Sequence, residues 1–267
     1  MSVQEFDRKT ASNKPQGMSE AEWQARVDCA AAHRFVAHFG WTNLIYNHVT
    51  MRVPDQPDQF LLKPHALMFE EVTASSLVKL PISGKAPARK TDDHDGRTGD
   101  VQTAGFNIHT AVLEARPEIN CVVHVHTAPG MAVTILKEGL LPLTQGAMRF
   151  YNRIAYHDYE GISNDSDEKA RIARDMGPTH KTMLMRNHGL LTCGTSPREA
   201  LSLMKFLIEA CDTQMRVLAT GREIIIPSHE VAEAAAQQWD KGDPKTGLAV
   251  WPAILRMLDR EDTSYRT

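Results

Sequence analysis

No run of 18 apolar residues occurs anywhere in the 267-residue chain, which leaves no candidate for a membrane-spanning helix. Residues 1–17 are polar and lack the apolar core of a secretory signal, so a cytoplasmic protein with no membrane partner is expected. Cysteine is scarce and scattered. Cys29, Cys121, Cys193 and Cys211 form no C-x-x-C pair and sit among apolar or small neighbours, so they read as buried free thiols, not as a disulfide framework or redox motif. Charge of one sign is lacking too: 30 Lys plus Arg against 33 Asp plus Glu leave a net −3, and no field draws the chain to nucleic acid. Internal repeats and interdomain linkers are absent, and with 42% hydrophobic residues the chain reads as one globular αβα domain.

Histidine is abundant instead, with twelve copies, and imidazole serves both as metal ligand and as proton carrier. Their placement depends on the elements that carry them. Ser19-x-x-Glu22 is a capping-box pattern ahead of Trp23, Val27, Ala30, Ala31 and Phe35, and it predicts a helix ending at Gly40. Strands are predicted over 43–53 and 60–63, with a turn over 54–59, and a third short strand over 77–80. The Gly-, Lys-, Asp- and Pro-rich stretch 83–102 predicts a loop, and its charged part from Lys85 to Arg97 reads as a solvated segment or a lid.

A helix over 107–115, stopped by Pro117, leads into a β-branched strand over 120–127 and a further helix over 128–137. Strand-like runs at 182–185 and 190–193 flank Arg186-Asn187-His188-Gly189. Ser196-Pro197-Arg198-Glu199 then opens a long helix that Gly221 closes, and two more helices are predicted around 231–239 and 250–258.

Side chains alternate along a strand, so His124 and His126 point to one side while Val123 and Val125 fill the other. Two imidazoles on one point suit Zn²⁺ or Fe²⁺, which take three protein ligands and leave positions open for catalysis. His188, at the end of a second buried strand beside Gly189, is the candidate third ligand. On residue pattern alone a hydrogen-bonded pair of strand histidines explains His124 and His126 equally well.

The segment 120–127, followed by 186–190, resembles the class II aldolase/adducin family, whose members hold a divalent metal with such a His-x-His pair and a later histidine. The likeness runs from about Ser19 to Gly221 through Gly40-Trp41, 44–50, 71–79, Gln102, 104–106, 115–117, 157–159 and Gly161-Ile162, and it is to the adducin-type branch. It implies a single three-layer αβα sandwich around a mixed, largely antiparallel sheet, assembled as a homotetramer. The organisation expected is a flexible segment over 1–18, the domain over 19–227 and a C-terminal helical extension over 228–267.

The departures bear on chemistry. Family aldolases carry a Ser-Glu pair before the metal strand, the glutamate being their acid/base, and Ala104 and Gly105 stand at those positions here. Their phosphate-binding Thr-Gly pair corresponds to His65-Ala66, which points away from a sugar phosphate and towards a smaller carboxylate or aromatic substrate.

The resemblance therefore implies one divalent metal per subunit, Zn²⁺ or Fe²⁺ with Mn²⁺ as an alternative, held by His124, His126 and His188. His65 is a candidate acid/base or a loop histidine, and Tyr46 a candidate donor to substrate or a half-buried aromatic. Asn47 is a candidate substrate-positioning group or a strand-end hydrogen bonder, and His109 a group orienting ligand or substrate. Glu114 reads as a solvated charge, and His48 as a strand residue facing away from Asn47. Three functions fit: a metal-dependent lyase acting on a small hydroxy- or keto-carbonyl compound, a non-haem Fe²⁺ oxygenase on the same scaffold, or a non-catalytic adducin-like module.

Overall fold

The computed structural model describes residues 14–87, 100–162 and 167–267. Most of the segment expected to be flexible at the N-terminus, and the charged loop from residue 88 onward, lie outside the described residues. Seven strands form one sheet in the order β3-β2-β1-β4-β7-β6-β5. They are β1 (His48–Val53), β2 (Gln56–Leu62), β3 (Val78–Pro81), β4 (Cys121–Val125), β5 (Ile154–His157), β6 (Thr182–Met185) and β7 (Gly189–Gly194). All neighbouring pairs are antiparallel except β5 with β6. The sheet is thus mixed and largely antiparallel, as expected.

Alternation in the central strands assigns the two layers. Cys121, Val123 and Val125 of β4, with Val49, Met51 and Val53 of β1, enter a core under α1 (Glu20–His38), α6 (Pro197–Leu218) and α8 (Val250–Glu261). Val122 faces the opposite core, built with Phe106, Ile108, Ala111 and Val112 of α2 (Thr103–Ala115) and Ile172 and Met176 of α5 (Glu168–Met176). The three-layer sandwich follows, because an apolar face on each side of one sheet must be covered twice. The four cysteines are buried free thiols within these layers.

Helix ends follow the local signals. The Ser19 hydroxyl accepts from the Glu22 N–H at 3.0 Å, and Ser196 accepts from Glu199 N–H at 3.3 Å ahead of Pro197. The Glu22 carboxylate does not turn back to close a capping box. It is buried and paired with Arg26 at 3.0 Å and Lys79 at 2.7 Å, and Arg26 also donates to the Leu77 carbonyl at 2.7 Å. A local cap pattern has become an anchor between α1 and β3.

Other boundaries move for tertiary reasons. The region expected as a turn over 54–59 shrinks to Pro54 and Asp55, and β2 runs through Pro57. Because β3 pairs only with Gln59 to Leu62, the missing N–H of Pro57 leaves no gap in that ladder. The helix expected from Asn107 starts at Thr103, carrying Gly105 in its first turn. β5, α5 and the short α4 (Gln145–Met148) have no counterpart in the sequence-based elements. β5 is a four-residue edge strand, too short for alternation to declare it.

The C-terminal helices, α7 (His229–Thr246) and α8, belong to the same packed body. Tyr265 is fully buried, its hydroxyl donates to Asp259 at 2.7 Å, and its carbonyl accepts from Ala74 N–H at 2.9 Å. No helix among the described residues is long and apolar enough to cross a membrane.

Candidate metal centre

β4 is central, so its register decides what surrounds His124. On its other flank β4 pairs with β7, and β7 begins at Gly189, one residue after His188. The turn from β6 into β7 is closed by Asn187 in the left-handed region (φ 56°), a conformation that asparagine tolerates better than bulkier residues. The turn brings the His188 ring to 4.8 Å from that of His124 and 4.9 Å from that of His126. One ligand atom from each of the three histidines lies within 4.8 Å of the others.

Gly189 makes this convergence possible. A Cβ there would lie 2.6 Å from His126 Cδ2, 2.8 Å from the Val125 carbonyl and 3.2 Å from His124 Cε1. The glycine is required for close approach.

The hydrogen bonds orient the nitrogens. His124 Nδ1 donates to the Leu190 carbonyl at 3.0 Å, which directs Nε2 towards the other rings, the backbone-oriented arrangement usual for metal-ligating histidines. His124 Nε2 and His126 Nε2 are 2.8 Å apart. In the metal-free chain one ring's Nε2–H donates to the other's Nε2, and a metal ion would take the place of that proton. His124, His126 and His188 would hold a divalent ion through these nitrogens.

Burial holds all three rings neutral. It lowers the pKa of His124 well below its ordinary value, lowers that of His126, and brings His188 down to about 4, with the neighbouring His126 adding to the effect. Neutral imidazole is the ligating form.

The triad opens on a cavity of about 230 Å³ lined by Asn43, Tyr46, His48, Gln102, Ala104, Ile108, Tyr159, Gly161 and Ile162 with the three histidines. Among the described residues, its lining has no carboxylate and no lysine or arginine. Tyr46 stands at the rim, 44% exposed. His65 is outside the lining, half-buried, with its ring 6.0 Å from that of Tyr46 and its backbone N–H bonded to the Asp100 carbonyl at 2.7 Å. Asn47 is fully buried and donates to the Trp41 carbonyl at 2.5 Å. His109 lies one layer behind the wall, its ring 5.6 Å from that of His48 and its Nδ1 2.8 Å from Thr50 Oγ1. Burial lowers the pKa of His109 to about 3.

Three lining residues had no role in the sequence reading. His48 pairs directly opposite His124 across β1 and β4, so both share one face, and their rings stack at 6.1 Å. Strand register would have revealed it, and a single sequence does not contain that register. Gln102 and Tyr159 occur in the segments that carry the family likeness, yet nothing in their local pattern marks them. Tyr159 is brought to 6.4 Å from the His188 ring, just beyond His157, whose ring is buried between Asp175 at 2.7 Å and Glu168 at 3.4 Å.

Gly105 is the second glycine with a steric reason. A Cβ at this position would lie 2.6–2.9 Å from three atoms of the His48 ring. Gly105→Ala is expected to cost about 1–3 kcal/mol through overpacking. Urea unfolding measures it, and an unchanged midpoint would show that the ring is free to move.

Residues 27–215 match the family described as Class II Aldolase and Adducin N-terminal domain, and the chain belongs to that family. A protein of Pseudomonas aeruginosa, named provisionally as an aldolase class 2 protein, is 43% identical over 253 residues, covering 93% of this chain and 94% of its own length. Alpha-adducin of Rattus norvegicus is 38% identical over 255 residues, covering 91% of this chain and 34% of the adducin. The crystal structure of an aldolase II superfamily protein from Pseudomonas syringae superimposes with a TM-score of 0.85 at 39% identity, over 94% of this chain and 98% of that one. L-fuculose 1-phosphate aldolase from Glaciozyma antarctica PI12 has the same fold, with a TM-score of 0.76 at 24% identity over 95% and 97% of the two chains.

Proposed function

We propose that the chain is a divalent-metal-dependent lyase of class II aldolase type, cleaving or forming a carbon–carbon bond in a small hydroxy- or keto-carbonyl substrate that is not a sugar phosphate. The observation that carries this reading is the convergence of His124, His126 and His188 on one point of a cavity whose described lining is otherwise uncharged. Three neutral imidazoles suit Zn²⁺ or Fe²⁺, with Mn²⁺ also compatible, at one ion per subunit. When bound, the ion supplies Lewis-acid polarisation of a carbonyl or hydroxyl oxygen.

The protein's own groups then hold and orient. The ligand set is neutral, so among the described residues of the lining a carboxylate or enediolate substrate meets no like charge and a phosphate finds no lysine or arginine. In this reading Tyr46 at the rim donates its hydroxyl to a substrate oxygen, and His65, beside Tyr46 but outside the lining, is the candidate proton carrier. Asn47 serves substrate binding by fixing the segment from Trp41 that presents Tyr46, and His109 by backing His48. His65→Ala is expected to lower turnover about 10²-fold or more while metal content is retained. Equal loss of both would make His65 structural.

Two other readings each have an observation behind them. Among the described residues the cavity lining holds no carboxylate base, which suits an Fe²⁺ oxygenase in which O₂ has the central role. The match to alpha-adducin suits a non-catalytic module that binds proteins. Oxygen-electrode traces with a panel of 2-hydroxy and 2-oxo acids separate them: the lyase gives product without uptake, the oxygenase couples product to uptake, and the module gives neither. A homo-oligomer, with a tetramer the expected state, is part of this reading and rests on the family membership.

A further inference from the structure

Gln102 is the residue from which α2 starts, yet its side chain makes no capping bond to the helix. It reaches across to β1, where Oε1 accepts a hydrogen bond from His48 Nε2–H at 2.6 Å. With Oε1 as the acceptor, His48 carries its proton on Nε2 and the amide nitrogen is the end turned away from the ring. Gln102 lines the cavity, and its amide N–H groups are the end left to face a ligand there.

The ring that holds the amide is itself confined. Gly105 packs against one side so closely that a Cβ would overlap it, and the His109 ring meets it edge-on at 5.6 Å. The His124 ring lies parallel to it at 6.1 Å with an interplanar angle of 10°. His48 is 3% exposed, and its Nδ1 is buried. A rotation that would release Gln102 therefore collides with neighbours on several sides. The amide is a fixed donor beside three neutral histidines, in a cavity whose lining, among the described residues, offers no lysine or arginine.

We propose that Gln102 is a substrate-binding residue whose carboxamide N–H donates to an oxygen of a metal-chelating carboxylate, and that His48, wedged by Gly105, is the positioning residue that keeps the amide in that orientation. The inference rests on the metal-site reading above and adds to it the group that recognises the carboxylate. It defines the substrate class as compounds with two adjacent oxygens, one of them a carboxylate oxygen, in the manner of 2-oxo and 2-hydroxy acids. A hydrogen bond to a charged oxygen is stronger than a neutral one and is lost outright when the donor becomes an acceptor.

The test is a titration of Co²⁺-loaded full-length protein with oxalate, followed by visible absorption and by calorimetry. Co²⁺ stoichiometry in each variant reports the metal site independently of oxalate. Gln102→Glu keeps the oxygen that His48 needs and replaces the donor with a carboxylate; it is expected to weaken oxalate about 100-fold with Co²⁺ still bound at one equivalent. Gln102→Leu is expected to weaken it about 10-fold. His48→Ala frees the amide and is expected to weaken oxalate by several-fold, while His48→Asn, which retains an N–H towards Gln102, recovers part of the loss. Oxalate binding by Gln102→Glu within twofold of the parent, at full Co²⁺ loading, would overturn the assignment and leave the metal site standing. Failure of the parent to bind Co²⁺ would overturn both.

Discussion

Replacement of His124 by alanine is expected to reduce bound divalent metal from about one ion per chain to a small residue. His124 is the member of the triad most firmly placed: it lies in the middle of the sheet, is 1% exposed, and has Nδ1 committed to the Leu190 carbonyl. Its Nε2 is within 2.8 Å of His126 Nε2. Removing it leaves His126 and His188, neither fully buried, as a two-ligand site. Two imidazoles without a third protein ligand fall short of the usual catalytic set. The backbone has little reason to unfold, because the ring is at the cavity end of β4 and Val122, Val123 and Val125 still fill the two cores. Elemental analysis with circular dichroism checks both halves. Full metal retention in a folded variant would refute the ligand assignment.

The second large effect is in acid. Burial lowers the pKa of His33 and of His109 to about 3 each in the folded chain, against an ordinary value near 6.5 when unfolded. Between those values the unfolded chain carries protons at both sites and the native chain carries none. Protons therefore favour unfolding across the whole interval, and stability falls as pH is lowered from about 6.5 towards 3, then levels with respect to these two groups. Each histidine contributes a slope of roughly 1.4 kcal/mol per pH unit well inside that window. Urea unfolding of chelator-treated protein at pH 7 and pH 5 is expected to show a loss of several kcal/mol. His109→Asn is expected to make the dependence shallower by about one proton. A flat profile between pH 7 and 5 would mean that these rings are solvated or already charged. His188, brought to about 4, adds to the effect in the same direction.

Both expectations rest on placements that are legible in the sequence to different degrees. His124 and His126 were readable because strand alternation is local: two positions apart is one face, whatever the sheet does elsewhere. The long helix α6 was readable for the same reason, since Ser196, Pro197 and Glu199 specify its start within four residues. His188 was named from its place at a strand end beside Gly189 and then from the family resemblance, while the pairing of β7 with β4 that brings it to His124 is not local information.

His48 shows where local reading stops. Its face is fixed by alternation, but its position opposite His124 is a property of the β1–β4 register, set by packing between segments more than 70 residues apart. Gln102 is harder still, because a glutamine before a helix predicts nothing about a bond to a strand. The edge strand β5 and the early start of α2 were missed because neighbours stabilise them, and their own composition does not. Lys63 is a comparable case: buried after β2, it donates to the Leu67 carbonyl at 2.8 Å, and burial lowers its pKa to about 8. No sequence pattern distinguishes it from a solvated lysine.

The departures from the aldolase pattern acquire a physical meaning in the structure. The position where the resemblance expects a glutamate is Gly105, and the space its side chain would enter holds the His48 ring. Restoring a carboxylate at 105 alone is therefore blocked by a clash with the His48 ring. Among the described residues the lining is polar without lysine, arginine or carboxylate.

The account is tested most directly by anaerobic turnover of protein stripped with chelator and then titrated with Zn²⁺, Fe²⁺ or Mn²⁺, following carbonyl product released from a panel of β-hydroxy-carbonyl carboxylates. The predicted result is cleavage that is absent in the stripped protein, returns in proportion to metal up to one equivalent per chain, and needs no oxygen. Cleavage that starts only when O₂ is admitted, or no cleavage at any metal loading, would contradict it.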